Sequence, residues 1–210
     1  MNIIEKIFHD PDFDQLNNMV RWNGHNRIKD ETVAHHSYFV ALVSRLMSEE
    51  IFKNSTAHSF NDLKLRIVTY AMLHDFDEIF TGDISHNVKY GTSSGTTLRD
   101  LLDKIVVEKS ELKFNKDKKS EILLFENIAE PIDSIIKKLV KVADWLSMLF
   151  YLKKEFSLGN KSMLKEIDYC IERLRFSCVD LSKILEGSDI PQECIDYGII
   201  KQIYNKESWI

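Results

Sequence analysis

Tyr70-Ala-Met-Leu-His74-Asp75-Phe-Asp-Glu78-Ile-Phe-Thr-Gly82-Asp83 joins an apolar helical run to a knot of imidazole and carboxylate side chains. Leu65, Ile67, Val68, Tyr70, Met72 and Leu73 lead into His74 and Asp75, which stand side by side. Glu78 follows at i+4 from the histidine and i+3 from the aspartate, a spacing that places all three on one side of a helix. Imidazole and carboxylate are the groups a borderline divalent cation takes, and adjacent ligands at a helix end reach one ion where the backbone tightens. A carboxylate at Glu78, if it does not itself bind, can move protons for a water activated at that ion. His9-Asp10 is a second His-Asp pair, but Pro11 follows it and pushes Asp10 toward an extended or turn conformation. That copy reads as punctuation before a helix.

Outward from this stretch the chain reads as all-α. Its 210 residues hold only seven glycines and three prolines, and apolar side chains recur mostly at i, i+3, i+4 and i+7. Pro11-Asp12 starts a first helix with Phe13, Leu16, Met19 and Val20, stopped near Gly24. A second begins about Glu31 or Thr32 and carries Val33, Val40, Leu42, Val43, Leu46 and Met47 on its apolar face, with His36 in its first turns. Residues 54 to 60 read as a loop, and Asn61 or Asp62 caps the helix that leads to His74. Small and polar residues after Asp83 predict a loop over a site, followed by helices over about 96–113 and 121–129 with a lysine-rich break at 116–119. Pro131 opens the most hydrophobic helix, apolar nearly all round from Leu139 to Leu152 and so expected at the centre of the bundle. Gly159-Asn160 ends it, a further helix covers about 162–185, and Pro191 opens the last. No repeat or linker marks a second domain.

Composition narrows the function classes. Hydrophobic content of 44% and charged content of 29% are those of a globular protein, and no segment offers the roughly eighteen uncharged apolar residues of a membrane span. The N-terminal residues do not read as a secretory signal. Cys170, Cys178 and Cys194 are odd in number and lack CxxC spacing, which suits reduced thiols in the cytoplasm, with Cys170 and Cys178 free to face the core. A net charge of −5 without a long basic run argues against a nucleic-acid polymer as partner. A phosphate ligand would have to be held by a few local arginines or lysines.

Three places break the apolar pattern: His36 in one helix, His74-Asp75 at the end of the next, and Asp144 amid the most hydrophobic one. A lone buried carboxylate costs several kcal/mol unless it is paired or bound to a metal. Two imidazoles and two carboxylates with room for water suit Zn²⁺, Mn²⁺, Co²⁺ or Fe²⁺, and ligand chemistry does not choose among them. The plainer alternatives are a satisfied core histidine at His36 and a salt bridge from Asp144 to a nearby lysine.

His…His-Asp…Asp on successive helices resembles the HD-domain metal-dependent phosphohydrolases. More narrowly, Arg21-Trp22, Glu31-Thr-Val-Ala-His-His36-Ser, His74-Asp75-Phe-Asp-Glu78-Ile-Phe-Thr-Gly-Asp83 and Val142-Ala-Asp144 resemble the YfbR-like 5′-deoxynucleotidase branch, over about residues 13–152. The resemblance implies a single HD-domain helical bundle over 1–210, with a metal-site core at about 13–152 and the C-terminal helices, 160–210, packed on it. It implies one divalent metal ion held by His36 (rather than His35), His74, Asp75 and Asp144. It makes Glu78 the catalytic carboxylate, Arg21 a phosphate-orienting residue, and Trp22 a wall against the sugar that crowds out a ribose 2′-hydroxyl. Asp83 and Lys89 fall where that branch contacts substrate, and a homodimer is implied as well. The chain departs from the family pattern at His35, where the family has Glu, and at Ile84-Ser-His-Asn87, where it has a proline-containing stretch.

The reading is a metal-dependent 5′-deoxyribonucleotidase in the cytoplasm that hydrolyses deoxynucleoside 5′-monophosphates. Its rival is a related HD enzyme releasing triphosphate from deoxynucleoside triphosphates, for which Arg27, Lys89 and Arg99 are the candidate extra cations. A non-catalytic nucleotide-binding regulator is the alternative of another class, and the joint presence of all four ligands and Glu78 argues against it.

Overall fold

Helix after helix, the computed structural model follows the all-α expectation; it describes residues 12–55, 59–84 and 131–206, with helical positions 98, 100–102, 104–106 and 108. The helices are α1 (Asp12–Asn18), α2 (Val33–Ile51), α3 (Ser59–Leu73), α4 (Glu78–Thr81), α5 (Pro131–Ser157), α6 (Leu164–Glu186) and α7 (Gly198–Tyr204), with 3₁₀ turns at Lys161–Met163 and Gln192–Cys194. Backbone contacts group the chain into two units, 1–35 with 74–126, and 36–73 with 127–210.

In the larger unit α5 packs on both α3 and α6, and α6 packs on α7. The central position expected of α5 follows from its composition. Ile135, Ile136, Leu139, Val140, Val142, Ala143, Trp145, Leu149 and Leu152 are all buried, so three of its faces are apolar. Phe150 is the exception on that run: it is exposed and stacks on Phe39 of α2, ring centroids 4.9 Å apart. The helix stops where Gly159 takes a φ of +107°, a left-handed value natural to glycine. There the Asn160 N–H donates to the Glu155 carbonyl, and the Asn160 side chain donates to Glu155 Oε2. This satisfies a carboxylate that is 1% exposed. From α6 the core receives Ile167, Cys170, Leu174, Cys178, Leu181 and Leu185, a stripe at helical spacing.

Periodicity misplaced several apolar residues. Leu42 and Leu46 of α2, and Leu65 and Met72 of α3, are exposed, although spacing put them on apolar faces. The buried face of α2 instead runs through Val33, His36, Val40, Ser44, Met47, Ser48 and Ile51. Three of those seven are polar, so counting apolar residues alone finds Val33, Val40, Met47 and Ile51 but also draws in Leu42 and Leu46. The helix at 59 starts before the expected cap at Asn61 or Asp62, because Phe60 packs its ring 5.5 Å from that of Phe52. Pro191 opens a 3₁₀ turn, and the last helix begins only at Gly198, where the Asp196 carboxylate accepts the Gly198 N–H at 2.6 Å.

In the smaller unit α1 packs on α4. Met19 and Val20 are expected on the first helix, yet that helix ends at Asn18, with the Met19 N–H still donating to the Gln15 carbonyl at 2.9 Å. Val20 bridges Thr32, the Val33 N–H donates to the Met19 carbonyl, and the Arg21 N–H donates to the Glu31 carbonyl at 2.8 Å. These pairings tie the residues before and after the 21–31 connector together, which turns a polar linker into an ordered loop. The loop and helices expected between Ser85 and Glu130 lie for the most part outside the described residues, as do His9 and Asp10.

Burial pushes the thiols of Cys170 and Cys178 up to about 12, and at Cys170 the neighbouring Asp144 charge adds to the rise while Lys141 opposes it. A thiol held protonated in the fold contributes stability fully below the unfolded value, near 8.5, and loses it progressively as pH climbs toward the folded value. In native protein at pH 8, iodoacetamide should therefore label Cys194 and leave Cys170 and Cys178 unmodified until urea is added, as peptide mass mapping would show.

Candidate active site

His36 lies in the second turn of α2 and is 0% exposed, whereas the adjacent His35 faces solvent. The choice between the two neighbours is thus made by which face of α2 meets the core. The Ser147 hydroxyl lies 3.0 Å from His36 Nδ1, and Asp144 Oδ1 lies 3.1 Å from His36 Nε2. Asp144 and Ser147 are one turn apart on α5, so one strip of that helix addresses both ring nitrogens. Lys141, a further turn back, donates to Asp144 Oδ2 at 2.6 Å and sits 4.9 Å from the centre of the Trp145 ring. The lysine salt bridge weighed as the plainer reading of Asp144 therefore exists. It occupies one carboxylate oxygen while the other is turned to the histidine.

The second His-Asp pair stands on different local geometry from that expected. Spacing suggested a continuous helix through His74 and Glu78, but α3 ends at Leu73 and a four-residue turn intervenes. In it the Glu78 N–H donates to the Asp75 carbonyl at 3.1 Å and the Phe80 N–H to the Asp77 carbonyl at 3.0 Å. This is the tightened helix end that lets neighbouring side chains converge, and His74 Nε2 is 3.3 Å from Asp75 Oδ2. Glu78 opens α4 and is only 6% exposed. Gly82 then takes a φ of +74°, its N–H bonded to the Glu78 carbonyl at 2.7 Å, and the chain swings out to present Asp83.

Asp83 reaches back to the first connector. Its Oδ2 accepts the Trp22 N–H at 3.2 Å. Trp22 has a φ of +65°, the only positive value at a non-glycine among the described residues, a conformation that costs roughly 1–3 kcal/mol and persists only where surroundings over-determine it. They do so here: the Trp22 carbonyl accepts from the His25 N–H at 3.0 Å and from Arg27 Nη1 at 3.3 Å, and the His25 ring meets the indole edge-on. Glu31 Oε2 accepts from Arg21 Nη1 at 3.1 Å and from the Trp22 indole Nε1 at 3.3 Å. Burial pushes the Glu31 carboxyl above its usual range, opposed by the Arg21 charge and the indole hydrogen bond.

A metal ion fits the donor set. Two ligands each about 2.1 Å from one ion, at octahedral to tetrahedral angles, stand roughly 3.0–3.4 Å apart. The His36–Asp144 and His74–Asp75 separations both fall in that range. His36, His74 and Asp75 each offer one ligand atom of a kind a metal ion takes. The Ser147 contact at Nδ1 turns Nε2 toward Asp144, which is how an outer partner orients an imidazole that binds a metal.

Of the residues singled out from sequence, Lys89 and Arg99 lie outside the described residues. Ser147 is not anticipated by the sequence reading, and the lysine weighed as a partner for Asp144 is Lys141; each is one helical turn from Asp144, and that spacing is the available signal. Glu31 was noticed only as part of a stretch. Nothing in its sequence position reveals that it meets residues ten back.

The sequence profile of the 5′-deoxynucleotidase YfbR-like family matches residues 12–181. A 5′-deoxynucleotidase of Cronobacter sakazakii is 30% identical over 157 residues, covering 69% of this chain and 70% of that protein. One of Pasteurella multocida is 38% identical over a shorter stretch of 77 residues, 37% of this chain and 38% of that protein. Among solved structures, an HD-domain phosphohydrolase of Listeria innocua superposes with a TM-score of 0.60 at 20% identity, covering 94% of this chain and 92% of the other. A protein of Pyrococcus horikoshii does so with a TM-score of 0.62, also at 20% identity, over 96% and 98%. The two superpositions share the all-α HD-domain fold, and the profile spans the Arg-Trp pair, both His-Asp pairings and Glu78: this chain belongs to the YfbR-like 5′-deoxynucleotidase family.

Proposed function

We propose that this enzyme is a metal-dependent 5′-deoxyribonucleotidase that converts a deoxynucleoside 5′-monophosphate to deoxynucleoside and phosphate. The observation that carries the reading is the pairing of two His-carboxylate ligand pairs with an Arg21-Trp22 unit in a chain of this family. His36, His74, Asp75 and Asp144 would hold one divalent ion, whose identity among Zn²⁺, Mn²⁺, Co²⁺ and Fe²⁺ the donor set leaves open. When bound, such an ion lowers the pKa of a water and neutralises charge on a phosphate oxygen.

The remaining work falls to the chain's own side chains. Arg21 presents a planar cationic fork suited to the phosphate, which matters because phosphate monoesters hydrolyse extremely slowly unaided. Glu78, buried at the start of α4, holds or moves the proton, either on the attacking water or toward the leaving 5′-oxygen. Trp22 is the wall that a 2′-hydroxyl would strike. Asp83 supports that wall through the Trp22 backbone and is proposed to contact substrate as well, as is Lys89.

Substrate length is read from Arg27, the one described cation of the three a triphosphate could use. It is committed to Asp30 at 2.6 Å and to the Trp22 carbonyl, which favours the monophosphate. We further propose a single domain over 1–210, a cytoplasmic location and a homodimer. The dimer reading is supported by the exposed stripe Tyr38, Leu42 and Leu46 on α2. Among the described residues no helix is long and apolar enough to cross a membrane.

Incubation with dAMP and with dATP, each with added divalent metal, should give inorganic phosphate from dAMP; triphosphate from dATP with no turnover of dAMP would overturn the assignment. Glu78→Gln should lower kcat by roughly 10²–10⁴ while leaving metal content intact, and unchanged turnover would remove Glu78 from proton transfer. Asp144→Ala should emerge from purification depleted of metal by elemental analysis, whereas full occupancy would break the proposed ligand set.

A further inference from the structure

Trp22 and Arg21 are adjacent in the chain, and adjacent side chains ordinarily diverge. Here they converge on one atom, because Glu31 Oε2 accepts from Arg21 Nη1 and from Trp22 Nε1. The arrangement is held from three sides. The Arg21 N–H is bonded to the Glu31 carbonyl, so the backbones of the two partners are already in register. The positive φ of Trp22 turns the indole back toward Glu31, and Asp83 fixes that turn by accepting the Trp22 N–H. Arg21 also lies 5.9 Å from the indole centre, within the range of a cation–π contact. The Glu31 carboxylate is 7% exposed, so water competes little for the oxygen that receives both donors.

We propose that Glu31 is a positioning residue that fuses Arg21 and Trp22 into one rigid recognition unit, so that grip on the 5′-phosphate and rejection of the 2′-hydroxyl depend on each other. The inference rests on the proposed roles of Arg21 and Trp22 and deepens them. Glu31 touches neither substrate nor reacting atoms. Its effect is to fix the guanidinium fork and the indole plane before substrate arrives, which removes the cost of ordering them on binding. An untethered indole can still fill the same space but can also swing aside for a ribonucleotide. Loss of the tether therefore relaxes specificity in addition to weakening binding.

Steady-state kinetics on dAMP and AMP for Glu31→Ala, Glu31→Gln, Trp22→Phe, Trp22→Ala and Arg21→Ala test this. Glu31→Ala should raise KM for dAMP about tenfold with kcat within about threefold, and should cut the dAMP-to-AMP ratio of kcat/KM about tenfold. Glu31→Gln, which keeps an acceptor, should recover most of that ratio. Trp22→Phe keeps an aromatic ring but lacks the N–H, and should lose discrimination several-fold; this variant carries the test if Glu31→Ala does not fold. If Arg21→Ala and Trp22→Ala disturb KM and the ratio but Glu31→Ala and Trp22→Phe leave both at wild-type values, the positioning role is overturned and the roles of Arg21 and Trp22 stand. If Arg21→Ala and Trp22→Ala themselves change neither quantity, those roles fall and the inference falls with them.

Discussion

Asp144 is a carboxylate on the most hydrophobic helix of the chain, 7% exposed, and its neutralisation is the constraint on which the site depends. Left alone it would cost several kcal/mol. Its two oxygens are divided instead, one to Lys141 and one toward the imidazole of a fully buried histidine. The division has a functional sense. Lys141, at the solvent edge of α5, balances charge and fixes the carboxylate plane, so that Oδ1 is aimed while Oδ2 is spent. Ser147 does the corresponding work for His36 by holding Nδ1. One strip of α5 thus orients two of the proposed ligands, and the apolar faces on either side of it keep that strip rigid.

The other His-carboxylate pair is built by a different device. His74 and Asp75 are neighbours in sequence, and neighbours on a regular helix point about 100° apart. Ending α3 at Leu73 and inserting a turn lets their ligand atoms approach to 3.3 Å. The same turn starts α4 at Glu78, and Gly82 then redirects the chain so that Asp83 can stabilise the strained backbone of Trp22. Glu78 and Trp22, the proposed catalytic carboxylate and substrate wall, are therefore positioned by one short, tightly turned segment.

The sequence made the helical character, the central place of α5 and the odd residues His36, His74, Asp75 and Asp144 legible, because each is a local departure from a strong pattern. A charge within an apolar run, or ligand-type residues at a helix end, needs no knowledge of tertiary structure to notice. What could not be read was set by long-range pairing. The end of α1 at Asn18 depends on Val20 meeting Thr32, and the tie between Arg21, Trp22 and Glu31 depends on the loop between them closing. Only part of the buried stripe of α2, Val33, Val40, Met47 and Ile51, was legible, because Ser44 and Ser48 lie in it while Leu42 and Leu46 do not. The tightening at the helix end after Leu73 was legible from the adjacent His74 and Asp75, but the four-residue turn at 74–77 before Glu78 was not, because helical spacing carries the pattern straight through it.

The central proposal is that His36, His74, Asp75 and Asp144 hold one ion. Anomalous diffraction from crystals grown with Mn²⁺ tests it most directly. The account predicts a single strong peak about 2.0–2.3 Å from His36 Nε2, a His74 ring nitrogen and one oxygen each of Asp75 and Asp144, with Lys141 still bonded to the other Asp144 oxygen. A peak that omits either pair, or an ion bound elsewhere while both pairs remain metal-free, would contradict it.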